Sequence, residues 1–391
     1  MPGSFIQSDT ALYVWLADGS DPNNHVMEAS TRSFLFSMHK PFVDLKGLSF
    51  RHSNSSAVTQ QGAAVGLSGG SRVEDCDIEW CDFAGVGMAY QGDGSQAVDC
   101  IISNNGAVGL EASESSRFLV KGCTISNNNN RNFNRLWHAG GIKITTRSYG
   151  TIENNEISYN NGSGVWFDYA DSIEPKIVRC NYIHDNGPTD AGVMAECSRS
   201  VLVCNNLIVD NERRGIYISA SDGSKIYNNT IVGTKGRAAI DEDGIPRPGK
   251  TLKNNSILNN VIYNTSASYD VLMRRNGDKD IDGNTCDYNC YFRSAGTVQL
   301  YFHSGTKAAT YSTLPEWQKV TGYDSHSFVA DPGFLNLDAK DYHISGKSSL
   351  IKEGTPVPDV STDYAGAPRG QGSNDMGAYE AHLTSTNTVN P

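Results

Sequence analysis

The sequence predicts an all-β solenoid, a right-handed parallel β-helix of about ten rungs with an N-terminal cap and a C-terminal tail packed along it. Three observations predict this fold. A Cys or Asn recurs at steps near 25 residues, a short glycine-led β segment recurs at a similar step, and no helical periodicity separates the two. Because each repeat has room for only two or three short strands, stacking is the way in which it can bury its apolar residues.

The first repeated position carries either Cys or Asn. Successive differences between its residue numbers are 24, 23, 32, 26, 25, 23 and 31, and the longer steps indicate loops inserted at one place in the rung. An Asn stacked on its equivalents can hydrogen-bond the backbone above and below it, whereas a Cys fills the same position by packing. We therefore interpret the position as structural. Its members are Cys76, Cys100, Cys123, Asn155, Asn181, Asn206, Asn229 and Asn260.

The second repeated feature is a five-residue segment that begins with glycine. In a strand its second and fourth residues point inward and its third and fifth point outward, so every rung shows two side chains on one face. The segments are 85–89, 109–113, 141–145, 164–168, 192–196 and 215–219, with 237–241 less regular.

The periodicity divides the chain into three parts. We expect an N-terminal cap or strand layer over residues 1–44, the parallel β-helix over 45–290, and a C-terminal capping segment and tail over 291–391. Residues 314–320 carry a helical pattern after Ser312 or Thr313, either of which can cap it.

Composition excludes several partners. The net charge of −11 argues against nucleic acid or an anionic membrane surface, and no run of 18 apolar residues could span a membrane. Nine cysteines leave at least one unpaired, and their spacing suits neither a disulfide framework nor a zinc site. The start of the chain lacks the apolar region of a signal peptide, as expected for a mature form or a fragment. Oligomeric state is not predicted.

The outward positions of the middle rungs carry the candidate site. The third position holds Gly87, Glu111, Lys143, Trp166, Met194 and Tyr217. The fifth holds Ala89, Ser113, Thr145, Asp168, Glu196 and Ser219, and we expect Asp241 next in that column. Acids, a lysine and aromatic rings together suit a glycan-acting enzyme, since carboxylates move protons and aromatic rings stack on sugar faces.

Asp168 and Glu196 are the predicted catalytic pair. Neighbouring rungs lie ~4.8 Å apart, which puts the two carboxyl groups roughly 5 Å apart. That spacing fits a retaining glycosidase, and the proximity should raise the pKa of one of them. The sequence does not say which one attacks, and a cation site or a pair of solvated acids is the alternative.

Eight further residues are predicted to bind substrate. Trp166 and Tyr217 would stack on sugar rings, and Lys143, which otherwise forms a surface pair with Glu111, would contact a hydroxyl or carboxylate. His138 lies in the longest insertion, Arg213 and Arg214 would form the far wall of the cleft, and Tyr169 would donate to Asp168.

Two groups of residues carry a family resemblance. The rungs resemble the pectate-lyase-like superfamily, and the tail from Asp331-Pro332-Gly333-Phe334 to Glu380 is similar to a C-terminal pattern of its secreted bacterial members. The segments 137–143 and 164–168 resemble β-helix enzymes related to glycoside hydrolase family 141. This resemblance implies hydrolysis of plant-wall or algal glycans such as xylan or fucosylated pectin, outside the cytoplasm in an extracellular or periplasmic setting, with no cofactor.

Two other functions stay open. In a polysaccharide lyase or epimerase, Lys143, His138 or Tyr169 would remove the proton beside a uronate carboxylate, which an arginine, or calcium held by Asp168 and Glu196, would neutralise. In a non-catalytic glycan-binding protein, the same face would bind a polysaccharide or oligosaccharide without turnover.

Overall fold

The computed structural model describes residues 1–55, 62–89, 92–275, 283–370 and 372–381. It divides into two units, Met1–Arg32 and Ser33–Pro391. The first unit contains an antiparallel hairpin of strands Ser4–Gln7 and Leu12–Trp15 and a 3-10 turn, Pro22–Asn24.

The second unit is a parallel β-helix, as predicted. In every rung the chain passes through three sheets in turn, which we call sheets 1, 2 and 3. Among the described residues sheet 1 has 10 strands: Asp44–Lys46, Arg72–Glu74, Gln96–Val98, Ser116–Lys121, Tyr149–Glu153, Lys176–Arg179, Val201–Cys204, Lys225–Tyr227, Ser256–Leu258 and Thr285–Asp287.

Sheets 2 and 3 are built in the same way. In the described part of the chain sheet 2 has 11 strands: Ser49–Arg51, Asp77–Glu79, Ile101–Ser103, Thr124–Ser126, Glu156–Ser158, Tyr182–His184, Leu207–Val209, Thr230–Val232, Val261–Tyr263, Cys290–Phe292 and Phe328–Val329. Sheet 3 has 12 within the same ranges: Phe36–Ser37, Ala63–Gly66, Ala84–Ala89, Val108–Ser113, Gly140–Thr145, Ser163–Asp168, Ala191–Glu196, Arg214–Ser219, Ala238–Asp243, Tyr269–Arg275, Leu300–Ser304 and Lys307–Tyr311. Strands occur on both sides of the predicted boundaries at residues 44 and 290, and those boundaries stay predictions.

The corner between sheets 1 and 2 contains the predicted ladder. The side-chain Nδ2 of each ladder Asn donates to Oδ1 of the next, at 2.9 Å from Asn155 to Asn181, 3.0 Å from Asn181 to Asn206 and 3.0 Å from Asn206 to Asn229. Each Oδ1 also accepts a backbone N–H from the preceding rung, as Asn206 does from Asn181 at 3.0 Å. Stacked rungs are thus tied together by side chains inside the solenoid.

A second ladder, which the sequence reasoning missed, lines the corner between sheets 2 and 3. It runs through Asn105, Asn128, Asn160, Asn186 and Asn211, with Nδ2 to Oδ1 distances of 2.9–3.2 Å. For Asn105 and Asn128 the signal was a pair of adjacent asparagines, in which the first residue, Asn104 or Asn127, takes a positive φ of 56° and the second joins the ladder. The other three members follow Tyr159, Asp185 and Asp210, which take the same left-handed conformation. The left-handed corner residue and the ladder residue are therefore separate positions.

The glycine that leads each segment of sheet 3 lies against the interior. A Cβ added to Gly164 would stand 2.6 Å from the carbonyl oxygen of Gly192 and 3.0 Å from a methyl group of Ile183. Since neither atom belongs to a flexible chain end, the close stacking of rungs requires glycine here.

The C-terminal segment contains the predicted helix and a tail along the solenoid. The helix Leu314–Thr321 begins after Thr313 and ends at Gly322, which has a positive φ of 74°. The tail, with its hairpin Phe334–Asn336 and Asp341–Ile344, contacts the rungs through Arg369, whose Nη2 donates to Asn205 Oδ1 at 2.9 Å. No helix of the described residues has the length and apolarity that a membrane crossing requires.

The ladder gives a test of stability. Replacing Asn206 with Ala should lower the free energy of unfolding by about 2–4 kcal/mol, because the buried amide and carbonyl groups of Asn181 and Val178 lose their partner. Chemical denaturation measures the loss. The control is Asn336→Ala, at an exposed Asn that accepts one bond from Ala339, which should cost well under 1 kcal/mol. Equal effects of the two variants would contradict a stabilising ladder.

Candidate functional site

The outward face of sheet 3 brings the predicted columns together in register. The third position runs through Lys143, Trp166, Met194, Tyr217 and Asp241, and the fifth through Thr145, Asp168, Glu196, Ser219 and Asp243. The placement of Asp241 in the fifth column was wrong by two positions, because its strand, Ala238–Asp243, pairs Asp243 and not Asp241 with Ser219.

Asp168 and Glu196 lie side by side on consecutive rungs. They are directly paired across strands Ser163–Asp168 and Ala191–Glu196, and their side chains are 25% and 16% exposed. Their inward neighbours Phe167 and Ala195 are fully buried in the solenoid core. Both carboxylates therefore project from the same face, into a partly desolvated setting.

Asp168 is held by a buried lysine. Its Oδ2 accepts a hydrogen bond from Lys143 Nζ at 2.8 Å, and the same Nζ lies 2.8 Å from the ring centroid of Trp166. The Lys143 side chain is 2% exposed. Burial lowers the pKa of Lys143 to about 8, although the negative charge of Asp168 opposes that shift.

Glu196 has a different environment. Its Oε1 accepts a hydrogen bond at 2.9 Å from Nη2 of Arg247, a residue 51 positions later in an inserted loop. Burial raises the pKa of Glu196, and the charge of Asp168 raises it further, whereas Arg247 and Lys143 lower it. Glu196 thus holds a proton more readily than an exposed glutamate does.

A third acid, Asp190, stands beside this pair and was missed by the sequence reasoning. It is buried at the start of strand Ala191–Glu196, and its Oδ2 accepts a hydrogen bond from Thr189 Oγ1 at 3.1 Å. Burial raises the pKa of Asp190, while the charges of Arg214, Arg213 and Lys143 lower it. Its position immediately before a glycine-led strand was the available signal.

Trp166 and Tyr217 do not present bare rings. They are 3% and 9% exposed and pack with Ala191 and Met194, so the expectation of exposed sugar platforms is not met in this structure. Met194 lies between the two rings in register, so large apolar groups at consecutive outward positions cover one another. The Tyr217 hydroxyl donates to Asp243 Oδ2 at 3.2 Å, and burial raises its pKa to about 12.

The two predicted arginines have separate roles. Arg214 is buried, with its guanidinium 4.0 Å from the Tyr217 ring centroid and its Nε donating to Asp241 Oδ2 at 2.6 Å. Arg213 is half-buried and donates from Nη1 to the carbonyl oxygen of Thr189 at 2.7 Å. Of the two arginines expected in the far wall, only Arg213 is partly accessible to solvent.

Asp241 is the centre of a buried ion network. Its Oδ2 also accepts from Arg237 Nε at 2.9 Å, and its Oδ1 lies 3.9 Å from Arg274 Nη2. Arg274 pairs in turn with Asp243, whose pKa is raised by burial. These charges close the C-terminal end of the face.

The N-terminal end of the face holds Glu111 and His138. Glu111 is buried and its Oε2 lies 2.6 Å from Nε2 of His138, whose ring stacks on Phe83 at 5.4 Å between centroids. The alternative reading of a surface pair between Lys143 and Glu111 is therefore wrong: the two are neighbours in register, but Lys143 pairs with Asp168 and Glu111 lies against His138.

Tyr169 follows Asp168 but points elsewhere. Its exposed side chain lies 5.2 Å from Lys250 Nζ, and a hydrogen bond with Cys197 is the main cause that raises its pKa. The expected donation to Asp168 is not formed, because the left-handed φ of 53° at Tyr169 turns the chain at the end of the strand.

The described residues contain no cluster of side chains that could bind a metal ion. Within the described ranges, no three His, Cys, Asp or Glu side chains are arranged to hold a metal ion. Asp168 and Glu196 are instead engaged by Lys143 and Arg247.

The ion network predicts a difference in stability between two aspartates. Asp241→Ala leaves the buried Arg214 and the half-buried Arg237 without their carboxylate and should cost about 3–5 kcal/mol of unfolding free energy. The control, Asp359→Ala, breaks a pair with Lys225 in which both side chains are 44% exposed, and should cost at most about 1 kcal/mol. Denaturant titrations of both variants compare the two losses, and a cost for Asp241→Ala as small as the control's would contradict the network.

Comparison with known proteins supports the fold. The chain is similar to the structure of XylC in complex with xylose, with a TM-score of 0.58 and 13% identity over 88% of this chain and 66% of that chain, slightly under two thirds of its length. It is also similar to pectate lyase Pel9A (TM-score 0.42, 11% identity, 86% of this chain and 97% of that one). A third similar structure is the A-module of the mannuronan C-5 epimerase AlgE4 of Azotobacter vinelandii (0.40, 14%, 76% and 83%).

No curated protein matches the chain. The resemblances to the pectate-lyase-like superfamily and to glycoside hydrolase family 141 stay predictions, while the right-handed parallel β-helix is confirmed. The family model described as "Right handed beta helix region" matches residues 42–174 and 132–286, which together cover more than half of the sequence. The chain belongs to this right-handed β-helix family.

Proposed function

We propose that the protein is a retaining glycosidase that acts on a polysaccharide or oligosaccharide. The observation that carries the proposal is the pairing of Asp168 with Glu196 on consecutive rungs, where Asp168 accepts a hydrogen bond from Lys143 and burial raises the pKa of Glu196. A spacing of about one rung, ~4.8 Å, is close to the ~5–5.5 Å typical of retaining enzymes.

The environments suggest a role for each carboxyl group. Lys143 Nζ donates to Oδ2 of Asp168 at 2.8 Å and places a positive charge beside that carboxyl group, which suits Asp168 as the nucleophile. The raised pKa of Glu196 favours its protonated form, which is the form a general acid needs. The sequence left this assignment open.

The reaction would take two steps. Glu196 donates its proton to the glycosidic oxygen while a carboxylate oxygen of Asp168 bonds to the anomeric carbon, and the leaving sugar departs with the proton. Glu196, now ionised, takes a proton from a water molecule. The hydroxide equivalent bonds to the anomeric carbon and the bond to Asp168 breaks, which restores both groups.

A xylose-containing glycan is the first substrate to test, because xylose is the sugar bound by XylC, which shares the fold. Plant-wall and algal glycans extend the panel. Such substrates would place the protein outside the cytoplasm, in an extracellular or periplasmic setting.

A polysaccharide lyase is the second candidate, and the observation that favours it is Lys143. A lysine with a pKa of about 8 is partly neutral near neutral pH and can act as a base. Lysis of a uronate-containing chain would give an unsaturated product with ultraviolet absorbance, whereas hydrolysis gives a new reducing end without that absorbance.

Mutation of the pair should abolish turnover. Asp168→Asn and Glu196→Gln should each lower kcat by at least about 1,000-fold, because each removes a reacting group. Reducing-end release from xylo-oligosaccharides and wall glycans measures the effect. An activated 2-fluoro glycoside should lose its leaving group and add the mass of its 2-fluoroglycosyl group to Asp168. The control Glu174→Gln changes an exposed acid and should keep wild-type rates. Unchanged glycan affinity with no turnover in any of the proteins would indicate a binding module instead.

The charges around Glu196 predict opposite pKa shifts in two variants. Lys143→Met removes a positive charge that lowers the pKa of Glu196, so that pKa should rise. Asp168→Asn removes a negative charge that raises the pKa of Glu196, so that pKa should fall. Carbon-13 NMR of side-chain-labelled glutamate, assigned with Glu196→Gln, follows both titrations. Shifts of the same sign in the two variants would contradict the proposed electrostatics.

A further inference from the structure

A cavity of about 180 Å³ lies at the N-terminal end of the outward face of sheet 3. The backbone of sheet 3 forms its floor, because the third-position column has glycine at Gly66 and Gly87. The large polar side chains of that column begin at the next rung, with Glu111. Its walls are the apolar side chains of Met38 and Leu67, together with Phe34.

Glu111 extends into this cavity. Its side chain is 5% exposed, and its Oε2 lies 2.6 Å from Nε2 of His138, whereas its Oε1 is buried and has no hydrogen-bond partner among the residues that the structure describes. Oε1 stands over the glycine floor, 3.7 Å from the place where a Cβ on Gly87 would be. A buried carboxylate oxygen that accepts no hydrogen bond carries a cost in desolvation free energy. A ligand bound in the cavity could supply the missing donor.

The lining defines the ligand's chemistry. Among the described residues that line the cavity, Glu111 is the only charged one, and the others are apolar or small. A sugar ring offers both complements, C–H faces for the apolar walls and a hydroxyl that donates to Oε1. A uronate would place its carboxylate against Glu111, so a neutral glycosyl unit fits and an acidic one does not.

The cavity lies on the same outward face of sheet 3 as the proposed catalytic pair. Glu111 pairs in register with Lys143, and Lys143 with Trp166, so Glu111 lies two rungs, or about 10 Å, from the strand of Asp168. We infer that this cavity is a substrate subsite that selects a neutral glycosyl unit by a hydroxyl hydrogen bond to Glu111. The inference rests on the proposed function, because the glycan would have to run along this face to reach both the subsite and the catalytic pair. It adds Glu111 to that function as a specificity residue.

Two variants test the subsite by different routes. Glu111→Gln removes the charged acceptor, and Gly66→Leu fills the cavity, since a Cβ on Gly66 meets only ordinary contacts with Ser37 at 3.8 Å and its backbone has no positive φ. Glu114→Gln, at an exposed acid near Arg147, is the matched control. Unfolding midpoints verify that all three full-length variants fold.

Calorimetric or NMR titrations use five probes: xylose, glucose, galactose, glucuronate and glucosamine. We expect at least one neutral sugar to bind, and its Kd to rise about tenfold or more in Glu111→Gln and Gly66→Leu but not in Glu114→Gln. The inference would be overturned if no neutral sugar bound, or if all variants bound it equally. It would also be overturned if glucuronate or glucosamine bound instead of a neutral sugar and that binding depended on Gly66.

Turnover separates this inference from the proposed function. Neutral-sugar binding that depends on Gly66 and Glu111, with no glycoside hydrolysed, would support the subsite and overturn the glycosidase. Hydrolysis whose KM and kcat are unchanged in both variants would support the glycosidase and overturn the subsite.

Discussion

The rest of the structure depends on the fixed register of its rungs. At two corners a stacked asparagine hydrogen-bonds both the side chain and the backbone of its neighbour, as Asn181 and Asn206 do. Because side chains alternate across a strand, a slip of one residue would turn Asp168 into the core and Phe167 out to solvent. The ladders and the glycine that leads each strand therefore decide which residues form the outward face.

Charge pairing is the second constraint on this face. Large outward side chains shield one another from water, so each buried cation needs a carboxylate: Lys143 has Asp168, and Arg214 has Asp241. The shielding also changes proton affinities, lowering the pKa of Lys143 and raising that of Glu196. The packing that stabilises this face therefore also gives Lys143 and Glu196 the shifted proton affinities that acid–base chemistry uses.

Strands and inserted loops contribute to the face in different ways. The strands hold Asp168 and Glu196 at a spacing set by the backbone, whereas His138 and Arg247 come from longer connections between rungs. A rigid scaffold with variable loops lets the same solenoid keep its geometry while the loops change what surrounds the carboxylates.

The sequence by itself determined the solenoid, the ladder at one corner and the outward direction of Asp168 and Glu196, because these follow from local periodicity. Tertiary structure alone decided that Arg247 reaches Glu196, that Asp190 stands beside it, and that Trp166 is covered. The physical reason is that alternation along a strand fixes the direction of a side chain, while its burial and partners depend on groups from other rungs and loops, whose separation along the chain no periodic pattern records.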